Sequence, residues 1–255
     1  MKIRSLTWRP SVRAGLFAGG LVVALVFFSA AATVSAQQKL SKRYPGGKNV
    51  RVELRNISGT IVVESWNKDE IRLTATIESK NTHVVPKQVN QCLSVDVMSD
   101  NRGRGDIGDI NFKLQVPVNS SVDLETVRGN ISVTNVRGGL VRAHVSTEGD
   151  IELSNIVASQ VIAQNISGNI FFDGEFLGGG TYDFKSSKGE IQIRIPGNSA
   201  FRLVAASPAR RIALNDFWNN NLKNQDGRKI VGDVGDGRAS VSVTNFMGQI
   251  TFLRR

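Results

Sequence analysis

The chain has 255 residues, of which 40% are hydrophobic and 21% charged, a composition that excludes an intrinsically disordered protein. Its net charge is +10, but the basic residues form no concentrated stripe or known motif, which argues against specific nucleic-acid binding. Glycine is frequent, aromatic residues are few and no long amphipathic helical pattern occurs, so we predict an all-β fold.

Residues 1–36 have the features of a signal peptide, with four basic residues ahead of an apolar run from Leu16 to Ala32. We predict cleavage after Ala36 and export to the periplasm, the outer surface or the medium. Removal of this segment leaves a net charge of +6 and no transmembrane helix. The alternative is a retained anchor, because the apolar run is close to the ~20 residues that cross a bilayer.

The mature chain begins with a polar leader, residues 37–47, which ends in the turn signal Pro45-Gly46-Gly47. Alternation of apolar and polar residues over 48–118 then predicts an N-terminal β-meander. Residues 81–91 are predicted to be an irregular excursion, and residues 99–109 a flexible hairpin loop. In that loop Asp100, Asp106 and Asp109 miss the spacing of a Ca²⁺ site, and the integrin-type tripeptide Arg104-Gly105-Asp106 is too short to be specific.

Residues 119–196 repeat the phrase Gly-x-Ile-x-apolar about every twenty residues. This period predicts a β-solenoid with two strands in each turn, stacked at the ladder spacing of ~4.8 Å. The inward residues should form two apolar columns, Ile131, Ile151, Ile170, Ile191 and Val133, Leu153, Phe172, Ile193. The residues between them, Ser132, Glu152 and Gln192, should face water.

The glycine of each phrase, at Gly129, Gly149, Gly168 and Gly189, is predicted to make a corner, where a positive φ is tolerated. Three residues earlier stands a small polar side chain that should bond the corner backbone: Thr126, Ser146, Asn165 and Ser186. Asn135 and Asn155 are predicted to stack as a short asparagine ladder. The same phrase recurs at Gly59 and Gly248, which extends the repeat over most of the mature chain.

The repeat is interrupted over residues 197–236, which are predicted to be an irregular insertion. Closing strands are predicted in residues 237–255. Within the insertion, Phe217 and Trp218 are predicted to cap the open end of the solenoid, because the last apolar layer must be covered. The alternative is an exposed contact.

The sequence predicts no catalytic, cofactor-binding or metal-binding residue. Cys92, the only cysteine, lies in a strand pattern and should be half-buried; His144 should point outward from a strand, and His83 lies in a loop without a partner at ligand spacing. A glycosidase needs two opposed carboxyl groups. The carboxylates of the repeat are not predicted to share a column: Asp150, Glu152, Asp173, Glu175 and Glu190.

The chain resembles the bacterial putative-adhesin family of β-strand repeat proteins, a domain of unknown function related to the head-GIN, auto-transporter adhesin-like domain. The resemblance rests on residues 112–117 running into residues 122–131, and on the Gly-x-Ile turns that follow. It spans about residues 48–254 and implies a right-handed single-stranded β-helix. It implies no catalytic or binding residues.

These observations predict an exported, non-catalytic β-solenoid of the cell envelope, acting as an adhesin-like binding or structural module. Its partner, a protein or a glycan, and its oligomeric state are not predicted. One alternative is a carbohydrate-active β-helix enzyme, which would align charged side chains on an outer face. Another is an accessory protein of the envelope stress response.

Overall fold

The computed structural model describes residues 37–99 and 108–255, so the predicted signal peptide, Asp100, Asp106 and the Arg104-Gly105-Asp106 tripeptide lie outside the described residues. Within the described ranges the fold is all-β, as predicted, and its strands form one continuous sheet. The single helical piece in these ranges is a 3₁₀ turn, Asn215–Phe217.

The strands in chain order are β1 Gln38–Pro45, β2 Arg51–Ser58, β3 Ile61–Trp66, β4 Glu70–Ile77, β5 Thr82–Val89, β6 Cys92–Ser99, β7 Ile110–Pro117, β8 Ser121–Arg128, β9 Ile131–Thr134, β10 Leu140–Glu148, β11 Ile151–Ser167, β12 Ile170–Ser186, β13 Ile191–Ile195, β14 Phe201–Ala206, β15 Ile212–Ala213, β16 Leu222–Gln225, β17 Lys229–Val234, β18 Ala239–Asn245 and β19 Ile250–Arg254. β11 and β12 are long because each bends and serves two successive turns.

The central strands stack in parallel, one turn of about twenty residues on the next, as the repeat predicts. On one side the order is β6, β2, β8, β10, β11, β12, β18 and β14. On the other side it is β7, β3, β9, β11, β12, β13, β19 and β15. Each layer of the stack therefore contains one strand from each side, and the two strands are joined at a corner wherever their connection lies within the described residues.

The layers are not stacked in chain order at either end. The β2–β3 layer lies between the later β6–β7 layer and the β8–β9 layer. The last layer of the chain, β18–β19, lies between β12–β13 and the earlier β14–β15 layer. Each end of the stack is thus covered by a segment that comes from inside the sequence.

The apolar columns run through the stack as predicted. Ile131, Ile151, Ile170 and Ile191 occupy one register, and the same column continues to Ile61 and Ile250. Each of them is at most 1% exposed, whereas Glu152 is exposed and Ser132 and Gln192 are partly exposed. No single turn encloses its own apolar face, so the core exists only in the assembled stack.

The N-terminal half differs from the expected β-meander. β2 pairs in parallel with β6 and β8, and β3 pairs in parallel with β7 and β9. Beyond β7, β4 and then β1 add to the sheet as antiparallel strands. β5 and β6 are the consecutive strands that pair there as a meander would. The pairing therefore does not confirm the meander, because β2 and β3 bury their apolar faces against layers from distant parts of the sequence.

Two segments predicted to be irregular are edge strands. The polar leader 37–47 contains β1, which packs Leu40 and Tyr44 against the core. Residues 81–91 contain β5, with Pro86 at its centre, so His83 lies in a strand and not in a loop. An edge strand tolerates proline and polar side chains because one of its hydrogen-bonding sides is unpaired, which explains why both were missed.

The segment 197–236, expected to be an irregular insertion, holds a further layer and a hairpin. A corner lies between β14 and β15, and there Arg210, with a φ of 60°, occupies the position that glycine has in the other corners. Ser207, three positions earlier, is the buried polar residue of this corner. Phe217 caps the core as predicted, because it is 3% exposed and contacts Phe201 and Phe252. Trp218 is half exposed.

Candidate functional site

The corner glycines stack directly on one another along the solenoid. A Cβ atom built on Gly129 would lie 2.1 Å from the carbonyl oxygen of Gly59, and one on Gly189 would lie 2.0 Å from that of Gly168. Both glycines also have a positive φ, 115° and 121°. The corners therefore need glycine for close approach between layers as well as for φ, and a row without side chains runs along the molecule.

This row is the floor of a trough. Its central part is a cavity of about 420 Å³ lined by Arg128, Gly129, Asn130, Glu148, Gly149, Asp150, Ser167 and Gly168. We call these residues the glycine trough. Its walls are the side chains immediately before and after each glycine, and they are polar because both positions face outward at the corner.

The wall that follows the glycines is held by a ladder of side-chain to backbone hydrogen bonds. The Asp150 amide donates to Asn130 Oδ1 at 2.9 Å, the Asn169 amide donates to Asp150 Oδ1 at 2.7 Å, and the Glu190 amide donates to Asn169 Oδ1 at 2.9 Å. Each side chain thus bonds the next layer, so the wall is pre-organised. Sequence reasoning missed this ladder, although the polar residue directly after each glycine was a visible signal.

The ladder also corrects the expectation that the carboxylates share no column. Asp150 and Glu190 occupy the same column two layers apart, with Asn169 between them. Asp173 is different: it is 7% exposed and pairs with Arg194 and Arg255, each at 2.5 Å. Asp173 therefore acts in the interior as an ion-pair centre, while Asp150 and Glu190 remain exposed.

A second cavity of about 320 Å³ adjoins the trough and shares Asp150 with it. Its lining is Asp150, Ile151, Glu152, Asn169 and Phe171, which we call the Phe171 shelf. The Phe171 ring projects outward, and the Arg194 guanidinium lies over it, 5.4 Å from its centroid. Of the described residues that line the trough and the shelf, Glu148, Asp150 and Glu152 are acidic and only Arg128 is basic.

The polar residues before the corners bond the backbone as predicted. Asn165 Nδ2 donates to the Gly149 carbonyl at 3.0 Å, and Thr126 Oγ1 donates to the Arg128 carbonyl at 3.0 Å. Ser146 departs from the pattern, because a bulge brings Val145 into register with Thr126 and Asn165. Val145 offers no donor, and Asn165 Oδ1 is buried without a hydrogen-bond partner among the described residues.

The predicted asparagine ladder is confirmed at the opposite bend, where Asn155 Nδ2 donates to Asn135 Oδ1 at 2.7 Å. Both asparagines have a positive φ, 62° at Asn135 and 54° at Asn155. Asparagine tolerates this conformation better than other residues with a Cβ, so the ladder shapes the bend.

The outward face of β2, β8 and β10 carries charges, but they are paired with one another. Asp123 accepts from Arg142 at 3.0 Å and from Arg51 at 3.4 Å, and Arg55 lies within ion-pair distance of Glu125. Such exposed pairs contribute little to stability and leave few free groups for a ligand. The glycine trough and the Phe171 shelf are therefore the stronger candidate site.

The single cysteine and the second histidine lie away from this site. Cys92 is half-buried in β6, as predicted, and burial and the Glu53 carboxylate raise the pKa of its thiol, with Arg51 opposing them. His144 is partly exposed on β10, as predicted. Over residues 37–99 and 108–255 no three histidine, cysteine or acidic side chains cluster as a metal site, and no helix is long and apolar enough to span a membrane.

The profile of the family described as Toastrack DUF4097 matches residues 103–252. No curated protein matches the chain. A putative cell adhesion protein from Clostridium sporogenes is similar in structure, with 9% identity, a TM-score of 0.46 and coverage of 86% of this chain and 100% of that one.

A putative adhesin from Bacteroides fragilis gives 9% identity, a TM-score of 0.34 and coverage of 86% and 99%. A putative lipid binding protein from Parabacteroides distasonis gives 12% identity, a TM-score of 0.25 and coverage of 84% and 96%. Similarities at this level do not bear on what the present chain binds.

Proposed function

This chain belongs to the Toastrack DUF4097 family, and from that premise we propose that it is an exported, non-catalytic binding module of the cell envelope. The observation that carries the proposal is the glycine trough. Its floor is free of side chains because the layers approach too closely for a Cβ atom, and its wall is fixed by hydrogen bonds to the next layer. A rigid, polar and elongated surface of this kind is suited to binding an extended ligand.

Export rests on residues 1–36, whose basic start, apolar run and small residues before Gln37 match a cleaved signal peptide. Mature protein isolated from the envelope fraction should begin at Gln37. An N-terminus at Met1 would contradict cleavage. The winding we propose is a right-handed single-stranded β-helix, since crossovers between parallel strands of one sheet are overwhelmingly right-handed; a crystal structure would decide it.

A non-catalytic role is supported by what the carboxylates at the site already do. Asp150 Oδ1 accepts a backbone amide of the next layer, and Asp173 is paired with two arginines. Both groups are thus committed to positions within the stack, whereas an inverting or retaining glycosidase opposes an acid and a base across the substrate.

The test is sedimentation of the purified mature chain with isolated cell envelopes. Ser167→Trp places a bulky ring in the glycine trough, and Lys185→Trp places the same ring on the exposed face of β12, away from it. We expect the wild type and Lys185→Trp to sediment equally and Ser167→Trp to lose most of its binding. A wild-type chain that stays in the supernatant would refute the function, and unchanged binding of Ser167→Trp would refute the site.

A further inference from the structure

The Phe171 shelf contains the one aromatic side chain in its outward column. The positions in register with Phe171 on neighbouring layers are Glu152 and Gln192, and the column continues to Ser132 and Thr251. An outward ring on a strand is not needed for the core, which is filled from the other face by Ile170 and Phe172. The Arg194 guanidinium lies over the ring, and the ring also lines the cavity, so a ligand in the cavity would contact it.

The groups around the ring match the surface of a sugar. An aromatic face packs against the C–H groups of a pyranose, while carboxylate and amide groups exchange hydrogen bonds with its hydroxyl or amino groups. The shelf supplies the Phe171 ring, the Asp150 and Glu152 carboxylates and the exposed Asn169 side chain within one cavity. The trough then extends along the layers, whose spacing of ~4.8 Å is close to the advance per residue of a β-linked glycan.

The local charge selects among sugars. The mature chain is basic as a whole, yet the trough and the shelf are lined by Glu148, Asp150 and Glu152 against Arg128 among the described residues. The one further cation beside the shelf is Arg194, which lies over the Phe171 ring and is already paired with Asp173. Acidic side chains at this density disfavour an anionic polysaccharide and favour a chain that carries protonated amino groups.

A basic peptide would be the other cationic polymer, but the geometry favours a glycan. Peptides that bind along a β-structure pair with free backbone groups of a strand edge. Here the backbone amides of Asp150, Asn169 and Glu190 already donate to side chains of the preceding layer. The trough floor is also glycine, so it offers no apolar pockets for peptide side chains.

We propose that the glycine trough and the Phe171 shelf bind a β-linked amino-sugar chain with free amino groups, with one sugar stacked on Phe171. This inference rests on the proposed binding function and names its ligand class. Glu152 and the Oδ2 atom of Asp150, whose Oδ1 holds the Asn169 amide, accept hydrogen bonds from the ammonium or hydroxyl groups of that sugar, and its neighbours follow the trough.

The experiment is calorimetry of the mature chain with a glucosamine hexasaccharide, an N-acetylglucosamine hexasaccharide, hexagalacturonate and hexalysine. We expect the glucosamine hexamer to bind about tenfold more tightly than the N-acetylated one, since acetylation removes the charge, and hexagalacturonate not to bind. Phe171→Ala should weaken binding about fivefold to tenfold, as expected for a lost ring contact. Phe246→Ala, which removes another exposed ring that lines neither the trough nor the shelf, should leave it unchanged.

Glu152→Gln provides a second variant of nearly the same shape, and it should reduce the preference for the free amine without altering the fold. No binding of the glucosamine hexamer, or equal binding by Phe171→Ala, overturns the proposal. Binding of hexalysine with the same dependence on Phe171 reassigns the site to basic peptides and also overturns it. If envelope sedimentation remains sensitive to Ser167→Trp while the hexamer fails, the ligand class is wrong and the binding function stands.

Discussion

The stacked corner glycines allow the two reasons for a glycine to be separated by experiment. Gly189 has both a positive φ of 121° and a Cβ position 2.0 Å from the Gly168 carbonyl oxygen. Gly179 has a positive φ of 78° but nothing within 4 Å of its Cβ position. Gly138 has only the close approach, 2.0 Å from the Ser120 oxygen, and Gly178 has neither constraint, with its nearest atom at 3.7 Å.

Alanine at these four positions gives expected changes in the free energy of unfolding. Gly178→Ala should be neutral or stabilising by about 0.4–1 kcal/mol, because it only restricts the unfolded chain. Gly179→Ala should cost about 1–2 kcal/mol for the left-handed backbone. At Gly138 the new methyl lies 1 Å inside the 3.0 Å that real Cβ atoms keep, so a neighbouring layer must move and the cost should be about 1–3 kcal/mol.

Gly189→Ala combines both effects and should cost about 2–5 kcal/mol, since the strain and the displacement are independent. Urea unfolding followed by circular dichroism measures all four variants, with equal m values as the check that only stability changed. Equal costs for Gly189→Ala and Gly179→Ala would show that φ alone requires the glycine, and that the approach of the layers does not.

Three further substitutions test the packing, each against a matched control. Phe252→Ala should cost about 3–5 kcal/mol, because the ring is fully buried in an internal layer and stacks on Phe201 at 5.8 Å. The control Leu253→Ala, beside it, should cost about 1 kcal/mol or less. Similar values for the two variants from thermal unfolding would show that the last layer is not internal. Val145→Thr should be neutral or stabilising, because a hydroxyl there offers a donor to Asn165 Oδ1. The control Val161→Thr should cost about 1–3 kcal/mol, because its buried hydroxyl would be unpaired. Equal urea midpoints for the two variants would refute the role given to Asn165. Asp173→Asn should lower the free energy of unfolding by about 1–3 kcal/mol, because it removes the charge that pairs with Arg194 and Arg255. The control Asp216→Asn, at an exposed position, should not lower it. Identical melting curves for the two variants would count against the ion-pair centre.

Local sequence was sufficient for the repeating unit. The Gly-x-Ile phrase predicted the corner, the inward columns and the polar residue before each corner, because a turn of the chain has the same local requirements in every layer. It also identified Gly59 as a corner with a positive φ, and Gly248 as a corner that has the close approach, to the Gly189 carbonyl oxygen, without the positive φ. Phe217 and Trp218 were recognisable as candidate caps because they are large aromatic residues in a polar segment, but of the two only Phe217 is buried.

The Arg210 corner shows the limit of that signal. Its layer has the buried serine and the isoleucine of the phrase, Ser207 and Ile212, but an arginine adopts the positive φ. Because the prediction relied on the glycine of each repeat, residues 197–236 were predicted to be irregular. The edge strands β1 and β5 were missed for a related reason, since strands with one exposed side keep polar residues and proline.

The order of the layers was decided only by the tertiary structure. Every layer presents the same kind of apolar face, so the sequence alone does not say which copy lies against which. Gly59 stacks on Gly129, seventy residues away, and the β18–β19 layer lies between the β12–β13 and β14–β15 layers. That order depends on long-range pairing, including which segments cover the ends. The candidate site depends on it too, because the trough, the Asn130–Asp150–Asn169 ladder and the shelf around Phe171 exist only between layers. The sequence determined what each layer is made of, and the stacking determined what the layers form together.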